Sequence, residues 1–310
     1  MKIARTVAEV RDFRMKESQS DRSLGLIPTM GALHAGHLSL VKAARLENER
    51  VAVSIFVNPT QFGPNEDLDK YPRTFDSDCA LLLESGVDLV FAPETGVMYP
   101  FGFSTTIDIG AVGSRLDGAS RPGHFQGVAT VVAKLFNIFT PTRAYFGQKD
   151  AAQIAVIRKL VKDMEFPIEL IACPTIREED GLALSSRNRF LNAQQRREAI
   201  VLSRSLSVVE RLVGEGELDS AVLLAAARAV LSKEPAFRLD YLVLVNPDTL
   251  EDLPERIYSS DEATLPSCPK DSLLAVAGWL GDTRLIDNVV LRTEASASAP
   301  LLQYDPVIYA

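Results

Sequence analysis

The sequence is poor in what several large function classes require. Among its 310 residues are three cysteines, Cys79, Cys173 and Cys268. They lie far apart and without Cys-x-x-Cys spacing, so no zinc site is indicated and reduced thiols in a cytoplasm are expected. No apolar run approaches the length of a bilayer crossing, and the start MKIARTVAEVRDFRMKE is charged and amphipathic rather than a basic cap on an apolar core. A membrane span and a secretory signal are therefore not expected, and Glu9, Asp12 and Glu17 argue against an organelle transit peptide. Basic residues number 33 against 41 acidic ones, a formal net charge of −8, which gives no general grip on nucleic acid. Neither a Walker A sequence nor Gly-x-Gly-x-x-Gly follows the first apolar run, which weighs against kinases and dehydrogenases. No Ser-His-Asp hydrolase signature is visible. Histidine is scarce as well: His34, His37 and His124 are the whole supply.

What remains is ordinary soluble composition, 46% hydrophobic and 24% charged, with short β-branched runs alternating with amphipathic stretches. Residues 1–22 read as a helix or a pair of turns. Strands are expected at 24–27, 51–57, 88–92, 105–109, 143–146 and 168–172. Helices are expected at 37–49, 75–85, 123–139 and 150–164. Such alternation predicts an α/β fold with a doubly wound parallel sheet over residues 1–175. After a hinge near Thr175, helices at 193–213 and 217–233 precede strands at 238–245, 272–277 and 283–291. That order predicts a smaller α+β domain over 176–293, acting as a lid. Residues 254–270 read as a polar, proline-bearing loop and 294–310 as a loosely ordered tail.

Chemistry concentrates in a few stretches. Residues 28–40, PTMGALHAGHLSL, read as strand end, glycine turn and helix start, with His34 and His37 flanking Gly36. A helix mouth offers unpaired N–H groups and the positive end of its dipole to a phosphate. Glycine lets a ligand approach the backbone, and two imidazoles can donate hydrogen bonds where charge builds on a phosphoryl group. FGQKD at 146–150 lies between a strand and a helix, so Lys149, flanked by Gly147 and Asp150, can reach a nucleotide on the sheet edge. DGLALSSRNRFL at 180–191 places Ser185, Ser186 and Arg187 in a row, a set able to close over a triphosphate from a mobile loop. Gln61 in NPTQF and Gln153 one turn beyond Asp150 can bind a small polar substrate without adding charge. Asp76 and Asp78 open a helix; they interact with its dipole, or one of them helps position magnesium.

These motifs, with KYPR, RPGHFQGVATVVAKLF and GDTRLIDN, resemble the pantoate:β-alanine ligases, the pantothenate synthetase family of the His-x-Gly-His nucleotidyltransferase superfamily. The resemblance covers nearly the whole chain except the tail. It implies a Rossmann-like N-terminal domain, a homodimer, magnesium, and an ATP-dependent ligation of pantoate and β-alanine through pantoyl adenylate. It further implies that His34 and His37 stabilise the phosphoryl transition state with Met30 beside them. By the same resemblance Lys149, Ser185, Ser186 and Arg187 hold phosphates, Asp150 the ribose, and Gln61 and Gln153 pantoate. Metal ligands are not assigned. Ala151 and Ala152 stand where the family often carries larger or polar groups, which is expected to alter the pocket wall near Gln153. Two rivals are a nucleotidyltransferase that stops at a nucleotidylated product and a nucleotide-binding module without turnover.

Overall fold

Six short strands rich in buried Leu, Val, Ala and Ile form a wholly parallel sheet: β1 (Lys2–Ala4), β2 (Leu24–Thr29), β3 (Arg50–Ile55), β4 (Leu89–Phe91), β5 (Arg143–Gly147) and β6 (Glu169–Cys173). The computed structural model describes residues 1–18, 22–63, 68, 71–253, 255, 257 and 271–292. Strand order is β1-β4-β3-β2-β5-β6, every neighbouring pair parallel. Leu24, Leu26 and Ile27 of β2 and Val51, Ala52 and Val53 of β3 are fully buried, as expected of strands covered on both faces.

The chain order reverses between β2 and β5. From β2 the sheet grows one way through β3 and β4, and the later strands β5 and β6 extend the other side. A doubly wound sheet opens a crevice at the carboxyl ends of its strands where the order reverses, and ligands bind there. The segments following β2 and β5 are PTMGALHAGH and FGQKD.

The helix His124–Phe139 buries most of its length, including Val128, Val131, Val132, Leu135 and Phe136. The helices Ala35–Glu47, Phe75–Glu84 and Ala151–Asp163 follow their strands as expected, within a residue or two. Two local expectations fail. Residues 2–4 form an edge strand paired with β4, and the helix begins only at Val7. Residues 105–109 form no strand, and the Ile107 N–H is satisfied by the Thr130 hydroxyl at 3.0 Å. Of the cysteines among the described residues, Cys79 and Cys173 are free thiols, and burial pushes Cys173 up to about 12.

The chain divides into two compact units, Met1–Arg197 with Asp248–Leu250, and Glu198–Pro247 with the residues from Glu251 on. The boundary thus falls after Arg197 and not near Thr175. The reason is a hairpin at 176–184, which turns at Gly181 (φ +91°) and is closed by Leu184 N–H to the Ile176 carbonyl and Glu178 N–H to the Leu182 carbonyl, both 2.9 Å. Arg196 ties this hairpin down through Glu178 (2.7 Å) and Asp180 (2.8 Å), so 176–197 belongs with the sheet.

Within the second unit, β7 (Phe237–Val245), β8 (Asp271–Leu280) and β9 (Thr283–Arg292) form an antiparallel sheet with β8 central. The helix Val201–Gly214 buries Leu202, Leu206, Val209 and Val213 on one stripe, and the helix Ser220–Leu231 follows it. The expected helix over 193–213 is broken at Ile200 into Ala193–Ala199 and Val201–Gly214. The loop expected at 254–270, apart from Glu255 and Ile257, and the tail expected at 294–310 lie outside the described residues.

Candidate active site

A cavity of about 310 Å³ opens at the reversal point, and every residue lining it belongs to the first unit. Its construction starts with the turn after β2. Gly31 (φ +83°) and Ala32 (φ +52°) both adopt left-handed backbone, a strained state for alanine. The buried carboxylate of Asp78 holds that turn, accepting from Ala32 N–H at 3.0 Å and Leu33 N–H at 2.9 Å while the Thr74 hydroxyl donates to it at 3.1 Å. Asp78, in the first turn of the helix Phe75–Glu84 as expected, is therefore also a clamp for the turn, its oxygens engaged by backbone and by Thr74. Asp76 is exposed on the same helix.

The turn delivers His34 as the N-cap of the helix Ala35–Glu47. His34 Nδ1 accepts from Gly36 N–H at 3.2 Å, and His37 Nδ1 accepts from the backbone N–H of His34 at 3.4 Å. A neutral imidazole has one donor and one acceptor nitrogen. With each Nδ1 accepting, each Nε2 carries the proton and is a donor. The rings lie 4.2 Å apart between centroids. Burial, then the Lys149 charge, lowers the His34 pKa; burial, then His34, lowers His37 to about 3. Both rings are thus neutral near pH 7.

This geometry changes two expectations. The Gly36 amide, expected to face a phosphate directly, is spent on His34, so the donors presented at this helix mouth are imidazole Nε2–H groups. Gly36 itself is required by the folded-back ring: an added Cβ would lie 2.9 Å from His34 Cε1.

From β5 comes the opposite wall. Gly147 ends the strand, and a short 3-10 turn, Gln148–Asp150, presents Lys149 and Asp150, whose charged atoms lie 3.6 Å apart. Burial raises the Asp150 pKa, but Lys149 and then Arg187 outweigh it and hold the carboxyl below its ordinary range. Ser185 caps the turn Ser186–Phe190, its hydroxyl accepting Arg187 N–H at 3.3 Å. The buried Asn188 anchors that turn to the hairpin through Glu178 (2.7 Å) and the Ala183 carbonyl (3.0 Å).

Gln61 lies on a third wall. Its Nε2 donates to Met30 Sδ at 2.9 Å, and its Oε1 accepts from Asn58 Nδ2 at 3.2 Å. Asn58, 1% exposed, also donates to the Gly127 carbonyl at 3.1 Å and accepts from the Tyr99 hydroxyl at 2.8 Å. Gly127 is there because the turn Pro59–Gln61 rides on the helix: a Cβ would lie 2.3 Å from the Thr60 carbonyl oxygen.

All the residues proposed from sequence, Met30, His34, His37, Gln61, Gly147, Lys149, Asp150, Gln153, Ser185, Ser186 and Arg187, line this one cavity. Ala151 and Ala152 are buried and are not among its lining residues. Sequence reasoning gives no role to Asn58, Tyr71, Arg121 and His124, which also line it. His124 stands out in the sequence by its rarity, but only the fold supplies its partners. Its Nδ1 donates to the Gln61 carbonyl at 2.8 Å, and its Nε2 accepts from Arg121 at 3.0 Å.

Neutral imidazole donors facing a lysine and a serine-arginine turn, at the reversal point of a doubly wound sheet, define a nucleotide-using group-transfer enzyme. Within that class, the chain belongs to the Pantoate-beta-alanine ligase family, which it matches over residues 2–290. It is 52% identical over 300 residues to the pantothenate synthetase of Koribacter versatilis, covering 97% of this chain and 99% of the relative. To that of Acidobacterium capsulatum it is 54% identical over 302 residues, covering 94% and 97%. Among solved structures, pantothenate synthetase from Thermus thermophilus superposes with a TM-score of 0.84 at 47% identity, over 93% of this chain and 99% of that one. The Francisella tularensis ligase, solved with β-γ ATP and β-alanine, gives 0.68 at 33% identity, over 94% and 97%.

Proposed function

We propose that this chain ligates pantoate to β-alanine at the expense of ATP, giving pantothenate, AMP and pyrophosphate, and that the cavity above is where it does so. The observation that carries the reading is the convergence of His34 and His37, Lys149 and Ser185 to Arg187 on one space. A pantoate carboxylate oxygen attacks the α-phosphorus and the bond to the pyrophosphate oxygen breaks. The β-alanine amine then attacks the acyl carbon, the acyl C–O bond breaks, AMP leaves and the amine gives up a proton.

Each wall has a part in this sequence. The Nε2–H groups of His34 and His37 donate to phosphoryl oxygens as charge accumulates, and fixed donors cost no reorganisation at that moment. Lys149, Arg187 and the Ser185 and Ser186 hydroxyls hold the phosphates, and Asp150 takes ribose hydroxyls beside Gly147. Gln61 and Gln153 take pantoate's polar groups while Val128, Val131, Val132 and Leu135 receive its dimethyl centre. Met30, in contact with Gln61, bridges the pantoate side to the histidines.

Magnesium belongs to the same reading. Among the described residues no three His, Cys, Asp or Glu side chains cluster as a ligand set. Asp150 is the one carboxylate among the described cavity residues. Such a site fits an ion held mainly by substrate phosphates and water, the usual habit of this cation, which supplies charge neutralisation on the triphosphate. A homodimer and a cytoplasmic setting complete the proposal; no helix among the described residues is long and apolar enough to cross a membrane.

The test is a coupled assay with pantoate, β-alanine and Mg-ATP, expected to yield AMP and pyrophosphate in equal amounts. AMP formed equally well without β-alanine would mean the ligase reading is wrong.

A further inference from the structure

A carboxamide has an accepting end and a donating end, and Gln61 could offer either to a ligand. Asn58, which caps the turn carrying Gln61, decides between them. Its Oδ1 accepts from the Thr60 backbone N–H at 3.3 Å, and its Nδ2 donates to the Gly127 carbonyl at 3.1 Å. A backbone N–H only donates and a carbonyl only accepts, so these two contacts fix which way the Asn58 amide points. The same Nδ2 donates to Gln61 Oε1 at 3.2 Å. That occupies the accepting end of Gln61 and turns Nε2 toward Met30 Sδ, 2.9 Å away on the cavity wall. Gln61 therefore offers N–H groups to a ligand.

Asn58 is itself held from outside the cavity. Its shortest hydrogen bond comes from the Tyr99 hydroxyl, 2.8 Å from Oδ1. The Thr60 hydroxyl donates to the same oxygen at 2.9 Å, but Thr60 rides on the turn that Asn58 caps. Tyr99 lies 41 residues along the chain and ties the amide to a different part of the fold. Its ring is packed by Phe103 and Phe56, centroids 5.1 Å and 6.1 Å away, with the Lys134 ammonium 5.9 Å from its own centroid. Burial raises the Tyr99 pKa, so the phenol keeps its proton and stays a donor. Tyr99 is not among the residues lining the cavity.

We infer that Tyr99 is a positioning residue for the acid substrate: through Asn58 it holds the Gln61 carboxamide with its N–H end toward that substrate. What Gln61 then reads is an accepting oxygen, a hydroxyl of the bound hydroxy acid. This inference rests on the ligase reading above and deepens it by naming a remote residue that sets which end of Gln61 meets pantoate.

Pantoate-dependent exchange of labelled pyrophosphate into ATP, without β-alanine, reports adenylation and gives a KM for pantoate free of acyl transfer. Tyr99→Phe keeps the packed ring and removes only the hydroxyl. It is expected to raise the KM for pantoate about fivefold, a neutral hydrogen bond's worth, with the KM for ATP within about twofold of the parent. The parent's preference for pantoate over 3,3-dimethylbutanoate, the same acid without its hydroxyls, is expected to narrow by a similar factor. A double-mutant cycle separates positioning from support. In a Gln61→Ala background, Tyr99→Phe is expected to move the pantoate KM less than about twofold, because the amide it orients is gone. Equal effects in both backgrounds would overturn the inference, as would an unchanged pantoate KM or an unchanged preference in Tyr99→Phe alone. A melting temperature lowered by more than about 10 °C in that variant would assign the hydroxyl to the scaffold instead. Absence of exchange in the parent protein would overturn the ligase reading itself.

Discussion

The carboxylate of Asp78 accepts the backbone N–H of Leu33 at 2.9 Å across 45 residues of chain. With the neighbouring Ala32 N–H at 3.0 Å, this pair holds a turn whose alanine sits at φ +52°. The strain is local and its support is remote, so the histidines that follow are placed by a residue outside the cavity lining. Asp78→Ala leaves two amides and the Thr74 hydroxyl without their acceptor. Urea unfolding is expected to show a loss of about 3 kcal/mol or more, with turnover reduced in the protein that remains folded. Asp78→Asn, which keeps one acceptor, should fall between. An unchanged unfolding midpoint in both variants would remove the clamp from the account.

Gly36→Ala separates stability from chemistry. Alanine is favoured over glycine in a helix by about 0.5–1 kcal/mol, while displacing His34 from its cap costs about 1 kcal/mol, so stability is expected to change little. The added methyl lies 2.9 Å from His34 Cε1, and the ring must move. Turnover is then expected to drop about 10²-fold, the loss of one preorganised donor, and steady-state kinetics beside thermal melts will show whether the two properties part in this way.

The depressed histidines carry a pH signature of definite sign. Unfolded, an imidazole titrates near about 6.5; folded, His34 is lowered and His37 lies at about 3. Below the unfolded value the unfolded chain takes up protons that the folded chain refuses, so stability falls as pH drops from that value toward the folded one. Above it both states are neutral and the contribution is flat. Unfolding free energy measured at pH 5 and pH 7.5 should therefore decline more in the parent than in His37→Gln. Equal declines would place the acid sensitivity elsewhere.

His37→Ala and Lys149→Ala test the phosphoryl end directly. In the reading proposed above each removes a donor or charge that matters most as the α-phosphorus is attacked, and each is expected to lower pyrophosphate exchange about 10²-fold or more. If both variants exchange at the parental rate, these side chains serve the scaffold rather than the reaction.

Most of the sheet was legible because a strand buried on both faces must be written in a run of apolar, β-branched residues, as VAVSIFV at 51–57 is. Lys2–Ala4 was not, since a three-residue edge strand with two exposed positions carries no period. Residues 105–109 have strand-like composition but no strand to pair with; one hydroxyl on a helix takes the ladder's place. The misplaced hinge has a similar cause. Nothing local in 176–197 says that Arg196 will reach back to Glu178 and Asp180. At the site, His34, His37, Lys149 and Ser185 to Arg187 could be read because strand ends and glycine turns announce themselves. Asp78, Asn58 and Arg121 act only through partners brought near by the fold, and no spacing along the chain reports such partners.

Gly127 is a tight contact behind the wall proposed for pantoate. An added Cβ would stand 2.3 Å from the Thr60 carbonyl oxygen and 2.7 Å from the Gln61 amide nitrogen, both backbone atoms that cannot swing away. The turn Pro59–Gln61 must therefore lift from the helix, and the Asn58 hydrogen bond to the Gly127 carbonyl goes with it. Overpacking of this kind costs about 1–3 kcal/mol, which a chain of this size can survive. The side chain of Gln61 moves with its backbone, away from Met30, whereas Lys149 and Arg187 are carried by other segments. Gly127→Ala is thus expected to raise the KM for pantoate about tenfold or more, one hydrogen-bonding partner's worth, while the KM for ATP stays near that of the parent. A parallel rise in both would mean that the turn and the phosphate wall move as one body, and that pantoate has no separately built wall.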